Sequence, residues 1–361
     1  MSFDITYISW GLSQNPKDGA HKYIWEIIKR ISKEFNISVI HGYTNKPEIF
    51  DFKTFNFKLT GKREVDFLLH YLNTKKISKA IKTKLFHSNV MESYLPENSI
   101  LTIYHVGHLI YKFVPSNKYI LFLLRKFVEK NLEKAEKIIT ISRETKKDLI
   151  KFFGIERKKI EVIYYGIEIP KVNFDSKYLK KKYSIDQNKR VILTVSRIIK
   201  ERGIHNVIEA IKLLPKDLQK NIHYIVVGNS YDKDYLTYLK NISKNISISF
   251  YVGVEDIKEF LYMSDIFVFP SLMKEGFGLA PLEAMSFKKP VILSNQKTFK
   301  EVYGNVPIYF RNVEELAKNI EILLTNDKEY EKRKHLSFKI AKKYNWKNAI
   351  NRIKKIYNSL I

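Results

Sequence analysis

Two glutamates bracket a glycine-rich loop in the segment Ser264–Asn295, which reads SDIFVFPSLMKEGFGLAPLEAMSFKKPVILSN. A buried strand is predicted to end at Phe269, and a helix to begin near Pro281, because proline is favoured at the first helical position. Gly276 and Gly278 lie between them and let the backbone approach a ligand where a Cβ atom would intrude. Exposed N–H groups at a helix N-terminus bind anions. The segment therefore predicts a phosphate-binding site.

The two glutamates are Glu275, directly before the loop, and Glu283, which the predicted boundary places in the first helical turn. Carboxylates accept hydrogen bonds from the vicinal hydroxyls of a sugar or a ribose. Glu283 taken alone has a plainer explanation, since the helix dipole stabilises an acid in the first turn. Beside the glycine loop, recognition of a sugar or ribose is the interpretation that we favour for both.

A pair of arginines follows the first strand of the second half of the chain, in the sequence VSRIIKERGI. Arg197 lies at the carboxyl end of that strand, and Arg202 stands directly before Gly203, where the next helix opens. Two guanidinium groups on one loop clamp a diphosphate, with about 1.5–3 kcal/mol for each charge-assisted hydrogen bond. A solvated basic loop is the alternative, but the position at a strand end favours binding.

Short apolar runs alternate with amphipathic stretches along the chain. Runs such as Val191–Val195 and Ile266–Phe269 are continuous and rich in Ile, Val and Phe, which is typical of buried parallel strands. Helical periodicity follows such runs, for example in Arg143–Phe153 and Ile204–Leu214. Repeated alternation of strand and helix predicts an α/β fold with doubly wound parallel sheets.

The alternation restarts near Arg190, after the polar and lysine-rich stretch 171–189. We therefore predict two Rossmann-like domains, residues 1–170 and 190–345, joined by a linker over 171–189. We expect them to face each other across a cleft lined by the carboxyl ends of their strands, where α/β folds bind ligands. The amphipathic stretch 346–361 has no strand after it, and we expect this helix to pack back on the first domain.

The composition is that of a basic globular protein of 361 residues, with a net charge of +26 and no cysteine. The lack of cysteine excludes disulfides and zinc–thiolate sites and favours a cytoplasmic location. The N-terminal sequence lacks the basic and apolar regions of a signal peptide. No apolar run reaches the roughly 18 residues that a transmembrane helix needs.

The positive charge attracts polyanions, such as an anionic membrane surface or phosphorylated substrates, although a biased composition explains many of the lysines equally well. Between Lys112 and Lys137 basic residues interleave with Leu, Ile and Phe at helical spacing, which is typical of a helix that lies on an anionic membrane. Lys75–Lys84 adds to the positive charge of the first domain. An ordinary helix whose apolar face meets the sheet is the alternative.

Taken together, these motifs resemble the GT-B glycosyltransferases of the large retaining family often called family 4. The sequence EGFGLAPLE, from Glu275 to Glu283, matches the E-x7-E motif of that family, and SRIIKERG resembles its second-domain arginine motif. Thr140–Glu168 is similar to the segment that precedes the family's interdomain linker. The resemblance covers nearly the whole chain and implies transfer of a sugar from a nucleotide diphosphate donor.

The resemblance also implies a role for each matched position. Glu275 would hold the hydroxyls of the transferred sugar, and Glu283 would bind the donor ribose. Arg197 and Arg202 would neutralise the departing diphosphate, on which negative charge builds in the transition state. The remaining contacts in this half would come from the backbone of Phe277, Gly278 and Leu279.

The first domain matches the family less closely. Family members carry two glycines after the first strand, whereas this chain has the sequence DGA, in which Gly19 alone would contact the donor phosphate. A histidine of the catalytic site follows the family's fourth strand. The stretch Ile103–His108 offers His105 as the candidate and His108 as the second choice. A histidine that lines the cleft without a catalytic role is the alternative.

The resemblance implies attack on the same face of the sugar, with the departing phosphate oxygen taking the acceptor's proton, so no enzyme nucleophile is assigned. No metal and no cofactor are predicted, because the arginines replace the metal. Asp232 and Asp234 have the D-x-D spacing of a metal motif, but acids at a helix N-terminus need no metal.

We expect a UDP- or GDP-linked sugar as donor, and a glycan, lipid or protein as acceptor. Two other functions stay open: a GT-B nucleotide-sugar epimerase and a non-catalytic basic protein that binds nucleic acid. The E-x7-E context argues against the epimerase. The lack of a helix-turn-helix or RNP-like motif argues against specific binding of nucleic acid.

Overall fold

The chain divides into two compact units. Unit 1 comprises Met1–Tyr165 with Lys347–Ile361, and unit 2 comprises Gly166–Trp346. The structure is a computed structural model, and it describes residues 2–14, 19–44, 46, 48–107 and 118–361.

Unit 1 is built on a seven-stranded sheet. Its strands are β1 (Ser2–Gly11), β2 (Ile37–Tyr43), β3 (Lys53–Lys58), β4 (Lys82–Ser88), β5 (Ser99–Ile103), β6 (Lys137–Thr140) and β7 (Ile160–Val162). Its helices before the interunit boundary are α1 (Gly19–Ile31), α2 (Arg63–Ala80), α3 (Lys118–Lys134) and α4 (Arg143–Phe153), with a 3₁₀ turn at Arg157–Lys159. The strand order is β3-β2-β1-β4-β5-β6-β7, and all neighbours are parallel.

Unit 2 is built on a six-stranded sheet. Its strands are β8 (Arg190–Val195), β9 (Ile222–Val227), β10 (Ile248–Tyr251), β11 (Ile266–Phe269), β12 (Val291–Ser294) and β13 (Ile308–Phe310). Its helices are α5 (Ser176–Lys182), α6 (Ile204–Leu213), α7 (Lys216–Lys220), α8 (Lys233–Ile242), α9 (Lys258–Met263), α10 (Leu279–Ser286), α11 (Lys297–Tyr303), α12 (Val313–Thr325) and α13 (Asp327–Lys343), with a 3₁₀ turn at Lys200–Arg202. The order is β10-β9-β8-β11-β12-β13, again all parallel.

Both sheets follow the strand order of the Rossmann fold. In this order the chain adds strands on one side of the first strand of the unit and then on its other side. In unit 2 the reversal lies between β8 and β11, which pair at Ile192 and Ile266. The inner strands are buried on both faces, as in β9, whose six residues IHYIVV are all buried. The predicted fold class, α/β with doubly wound parallel sheets, is confirmed.

Amphipathic helices cover these sheets. In α6 the residues Ile204, Val207, Ile208 and Ile211 recur at helical spacing and are buried against strand residues that include Tyr224. The opposite face of such a helix stays polar, so the hydrophobic period fixes which face packs. This explains why the sequence places α6 within one residue of its observed end.

Strand β3 has no counterpart among the strands predicted from the sequence. It reads KTFNFK, lies at the edge of the sheet and has only one buried residue, Phe57. Lysines at both ends are typical of an edge strand that must not pair with another chain. The short alternation of an edge strand carries too little apolar signal to stand out.

The stretch 171–189, which the sequence predicts to be the linker between the two domains, contains a helix. It lies within unit 2 and contains α5, which Asp175 caps by accepting the Lys177 N–H at 2.8 Å. Leu179 is 1% exposed, and Lys182 pairs with Glu259 at 2.6 Å. One buried leucine in seven residues is too weak a pattern to predict this helix from the sequence.

The basic stretch Lys112–Lys137 lies partly outside the described residues. In the described part of α3, Val128 and Leu132 are fully buried in a cluster with Leu101. This part therefore has the core-facing side of an ordinary domain helix. Over the described chain, we find no helix with the length and apolar character that crossing a bilayer requires.

The C-terminal helix α14 (Trp346–Asn358) contributes to unit 1, to which Lys347–Ile361 belongs. Its Tyr357 is fully buried, and the hydroxyl makes hydrogen bonds with Tyr7 Oη at 2.8 Å and His87 Nδ1 at 2.5 Å. Burial lowers the pKa of His87 to about 3, so this histidine is neutral in the folded protein. The tyrosine therefore links the end of the chain to strands β1 and β4.

Tyr357→Phe should lower the free energy of unfolding by about 1–3 kcal/mol, because it leaves His87 Nδ1 buried without this partner. Thermal unfolding measures the change, at about 2–4 °C for each kcal/mol in a unit of this size. Tyr178→Phe is the control, since Tyr178 is 63% exposed. Equal melting temperatures for wild type and Tyr357→Phe would show that the buried contact is energetically neutral.

Candidate functional site

Three loops of unit 2 meet at one edge of its sheet. Strand β11 pairs in parallel with both β8 and β12, so the carboxyl ends of all three strands lie at the same edge. Arg202 follows β8, Glu275 follows β11 and Gln296 follows β12. The edge between β8 and β11 is where the strand order reverses, which is the usual ligand position in such sheets.

An ion pair joins the first two loops. Arg202 Nη1 donates to Glu275 Oε1, and both side chains are 13% exposed. Ser271 Oγ donates to the same carboxylate oxygen at 2.6 Å. The guanidinium group also lies over the ring of Phe269, with 5.7 Å from Cζ to the centroid. The site therefore holds a carboxylate and a guanidinium in a fixed, partly buried arrangement.

The pair leaves one donor unsatisfied. Arg202 Nε is buried and has no hydrogen-bond partner among the described residues. An unsatisfied buried donor costs about 1–3 kcal/mol, and the guanidinium group has five N–H donors in all. The guanidinium group thus has hydrogen-bonding capacity that the described residues do not use.

Gln296 fixes the backbone around the carboxylate. Its Oε1 accepts the Glu275 N–H at 3.0 Å, and its Nε2 donates to the carbonyls of Ser271 and Met273 at 2.8 and 2.9 Å. Thr298 Oγ1 donates to the Glu275 carbonyl at 2.8 Å. These bonds hold the loop after β11 against the loop after β12, so the position of Glu275 does not depend on Arg202 alone.

A glycine lets the arginine loop approach the same place. Gly203 has φ +65° and precedes α6, and a Cβ atom there would lie 2.3 Å from the Pro270 carbonyl oxygen. The Glu201 carbonyl accepts the Leu272 N–H at 2.9 Å, so the two loops are also joined through their backbones. Any side chain at position 203 would push Arg202 away from Glu275.

The glycine loop ends at Gly278, the N-cap of α10, with φ +91°. A Cβ atom there would lie 2.7 Å from the Phe299 ring. The Gly278 carbonyl accepts a hydrogen bond from Tyr303, and burial raises the pKa of that phenol well above its usual range, so it remains a neutral donor. Both contacts come from α11 and fix where α10 begins.

Helix α10 begins at Leu279, two residues before the predicted start near Pro281. Glu283 is therefore the fifth helical residue and half-buried, not a first-turn acid, and the helix-dipole explanation for it does not apply. Proline is still tolerated at position 281, because the first turn needs no N–H donor there. The residue before the helix, Gly278, has the backbone conformation that makes the earlier start possible.

The other predicted donor contacts have different surroundings. Phe277 is 2% exposed and packs edge-on against the rings of Tyr303 and Tyr344. Leu279 is half-buried at the start of α10. Arg197 is exposed and lies two residues after the end of β8. The structure thus joins Arg202 to Glu275 directly.

In unit 1, Gly19 is the first residue of α1, and its carbonyl accepts a hydrogen bond from Tyr165 at 2.8 Å. His105 is exposed and follows β5. Its neighbour Tyr104 donates to the Ala20 carbonyl at 3.0 Å, which ties this loop to the start of α1. His108 lies outside the described residues.

The predicted metal-like motif has another purpose. Asp232 is the N-cap of α8 and accepts the Tyr235 N–H at 2.8 Å. Among the described residues there is no group of three or more His, Asp or Glu side chains placed to hold a metal ion. The capping contact is sufficient to explain the acid at this position.

Sequence reasoning missed the residues that hold the site. Gln296 could have been found, because it follows β12 just as Arg197 follows β8, and polar residues at strand ends were the signal used elsewhere. Ser271 lies in a loop without any distinguishing pattern. In the sequence Tyr303 looks like one more apolar residue of α11. The spacing of residues along the chain does not reveal its contact with Gly278.

Comparison with known families identifies the chain. Residues 175–356, about half of it, match the family Glycosyl transferases group 1. The chain belongs to the glycosyl transferases group 1 family. Residues 14–170 match the family Glycosyltransferase Family 4.

Curated relatives of this group 1 chain come from archaea and bacteria. It is 30% identical over 242 residues to an uncharacterised glycosyltransferase of Methanocaldococcus jannaschii, covering 63% of this chain and 60% of that protein. It is 31% identical over 207 residues to CapM, a capsular polysaccharide biosynthesis glycosyltransferase of Staphylococcus aureus, covering 54% and 52%. The matches therefore span about half to 60% of the length of these relatives.

Solved structures show the fold of the group 1 chain. WaaG, a glycosyltransferase involved in lipopolysaccharide biosynthesis, has a TM-score of 0.81 at 15% identity, covering 98% of this chain and 99% of WaaG. HepE of Anabaena, in complex with UDP and glucose, has a TM-score of 0.78 at 18% identity, covering 98% and 100%. With the two parallel sheets, these likenesses show the GT-B fold of two Rossmann-like domains.

Gly278→Ala should destabilise unit 2 more than Gly253→Ala. Both glycines have positive φ, +91° and +78°, so both substitutions carry a backbone cost of about 1–2 kcal/mol. Only at Gly278 does the new methyl group meet a neighbour, the Phe299 ring, and overpacking adds about 1–3 kcal/mol. Thermal unfolding of the two variants measures the difference. Equal losses would show that the Phe299 contact does not restrict this position.

Proposed function

We propose that this chain is a retaining, metal-independent glycosyltransferase of family 4, which moves a sugar from a nucleotide diphosphate sugar onto an acceptor. The observation that carries the proposal is the bonded cluster of Arg202, Glu275 and Ser271, at the sheet edge where the strand order reverses and beside the start of α10. Membership of the glycosyl transferases group 1 family supports it and disfavours a non-catalytic protein that binds nucleic acid.

The donor that we propose is a UDP- or GDP-linked sugar. The solved structure of HepE contains UDP and glucose, which supports a donor of this class. A glycan or lipid-linked acceptor is supported by CapM and WaaG, which take part in capsular polysaccharide and lipopolysaccharide biosynthesis. Such an acceptor fits a cytoplasmic enzyme that works at an anionic membrane surface.

In this proposal Glu275 and Arg202 have different roles, one toward the sugar and one toward the diphosphate. Glu275 accepts hydrogen bonds from hydroxyls of the transferred sugar, which a carboxylate held at 13% exposure does without reorganising. Arg202 orients Glu275 and presents its remaining N–H groups to the diphosphate. Because the Arg202 charge is already in place, it stabilises the negative charge that builds on the leaving group.

The transfer step keeps the configuration of the sugar. The bond between the anomeric carbon and the diphosphate oxygen breaks, and the acceptor oxygen bonds to that carbon on the same face. The departing phosphate oxygen takes the acceptor's proton, so the products are the glycosylated acceptor and the nucleoside diphosphate. The chain needs no nucleophile for this step, only groups that bind the donor and stabilise charge.

The other donor contacts remain part of the proposal. Glu283 binds the donor ribose, Arg197 adds a second cation for the diphosphate, and His105 contacts the reacting sugar. The backbone contacts come from Gly19, Phe277, Gly278 and Leu279.

A panel of UDP-, GDP- and ADP-linked sugars, assayed for slow donor hydrolysis with excess EDTA, tests the function. We expect hydrolysis of one donor, unchanged by EDTA, because cationic side chains take the place of a metal at the diphosphate. Activity that disappears with EDTA and returns with manganese would overturn the metal-independent mechanism. Hydrolysis of no donor, together with no thermal stabilisation by any nucleoside diphosphate, would overturn the function itself.

Glu275→Gln should lower turnover of that donor by roughly two to three orders of magnitude, the scale of losing one preorganised electrostatic contact. The substitution keeps the shape of the side chain and removes its charge. Glu314→Gln is the control, since Glu314 is an exposed acid in the first turn of α12. Near-normal turnover by a folded Glu275→Gln variant would refute the role of Glu275.

A further inference from the structure

Helix α2 of unit 1 carries a stripe of buried polar residues. Asp66, His70, Thr74 and Ser78 follow one another at intervals of four residues, so they form one stripe, and none is more than 8% exposed. Buried stripes of domain helices are normally apolar. The inward face of α2 therefore departs from the rule that α6 follows.

Internal partners satisfy this polar stripe. Asp66 accepts hydrogen bonds from the N–H groups of Thr60 and Gly61 at 2.7 and 2.9 Å. His70 bonds Ser93 Oγ at 2.6 Å and the Ser9 carbonyl at 3.0 Å. These hydrogen bonds hold the helix to its unit, together with Leu69 and Ile77, which pack against a core cluster of unit 1.

Three other apolar residues of α2 point outward. Val65, Leu68 and Leu72 are 44%, 59% and 50% exposed, and their spacing of three and four places them in one stripe. Single exposed leucines are ordinary, but three in line, opposite a buried polar stripe, form a face that folding alone does not explain.

Lysines continue the same face. Lys75, Lys76 and Lys79 are exposed and extend the stripe toward the end of the helix, and Lys62 is exposed just before the helix begins. We call Val65, Leu68, Leu72, Lys75, Lys76 and Lys79 the outer stripe. A helix face with an apolar stretch flanked by lysines is complementary to a bilayer surface of negative charge.

We propose that the outer stripe of α2 binds an anionic lipid surface, with Leu68 and Leu72 at the boundary of headgroups and acyl chains and the lysines on lipid phosphates. A second copy of the chain is a poorer occupant, because an antiparallel pairing of two such helices would place lysines beside Lys62. The inference rests on the membrane part of the proposed function and names the surface that makes the contact.

The absence of cysteine from the chain allows a direct test. Leu68→Cys, labelled with an environment-sensitive fluorophore, is titrated with vesicles of phosphatidylglycerol and phosphatidylcholine in equal parts. We expect a blue shift with these vesicles, little shift with pure phosphatidylcholine, and reversal near 1 M salt, where the screening length is about 3 Å. Leu213→Cys, at a position 56% exposed on α6 and also next to a lysine, is the matched control and should not shift.

Cosedimentation of unlabelled protein with the same vesicles measures how much the leucines and the lysines contribute to vesicle binding. Leu68→Ser with Leu72→Ser should weaken binding at least about tenfold, because two leucines leave the interface. Replacement of Lys75, Lys76 and Lys79 by Ala should weaken it about fivefold for each lysine. Leu213→Ser should bind like wild type.

The proposal would be overturned if the double serine variant bound vesicles as tightly as wild type does. Binding of neither vesicle by wild type would also overturn it, as would a wild-type dimer that the double variant converts to monomer without any vesicle binding. Since no sugar is present in these measurements, such a result leaves the transferase proposal intact. Donor hydrolysis by the double variant should equal that of wild type, which confirms that the variant is folded.

Discussion

The ion pair between Arg202 and Glu275 is the interaction on which the candidate site depends. A partly buried pair is worth little in net stability, but removal of one partner leaves a charge without compensation. The surrounding structure therefore has to supply the geometry. Gln296 and Thr298 fix the backbone of Glu275, and Gly203 lets the arginine loop come close. What the pair provides is a carboxylate and a cation whose positions are set before any ligand arrives.

Parallel pairing is what brings the two charges together. Arg202 and Glu275 are 73 residues apart in the chain, yet β8 and β11 are neighbours in the sheet, so their carboxyl ends open at one edge. Two of the glycines with positive φ, Gly203 and Gly278, then allow backbone approaches that a side chain would obstruct. The strand order of the sheet determines where the site lies. The glycines determine how closely the loops that form the site approach each other.

The sequence predicts these features to the extent that they leave a local pattern. The α/β class, the glycine loop and the importance of Glu275 and Arg202 follow from apolar runs and from polar residues at strand ends. The start of α10 was wrong by two residues, because the Tyr303 and Phe299 contacts that fix Gly278 come from another helix. The direct bond between Arg202 and Glu275 was also unforeseen. The sequence predicts that each of these residues contacts the ligand, whereas the distance between the two side chains depends on tertiary packing.

Helix α2 shows a deeper limit of pattern reading. A hydrophobic period identifies the buried face only if water is the sole alternative to the protein interior. On α2 the buried stripe is polar because Thr60, Ser9 and Ser93 satisfy it locally, whereas Leu68 and Leu72 face outward. Leu69 and Ile77 of that helix pack against the core, whereas the exposed leucines fit the lipid surface that we propose. Because the polar stripe helps to anchor the helix, Leu68 and Leu72 are available for that surface.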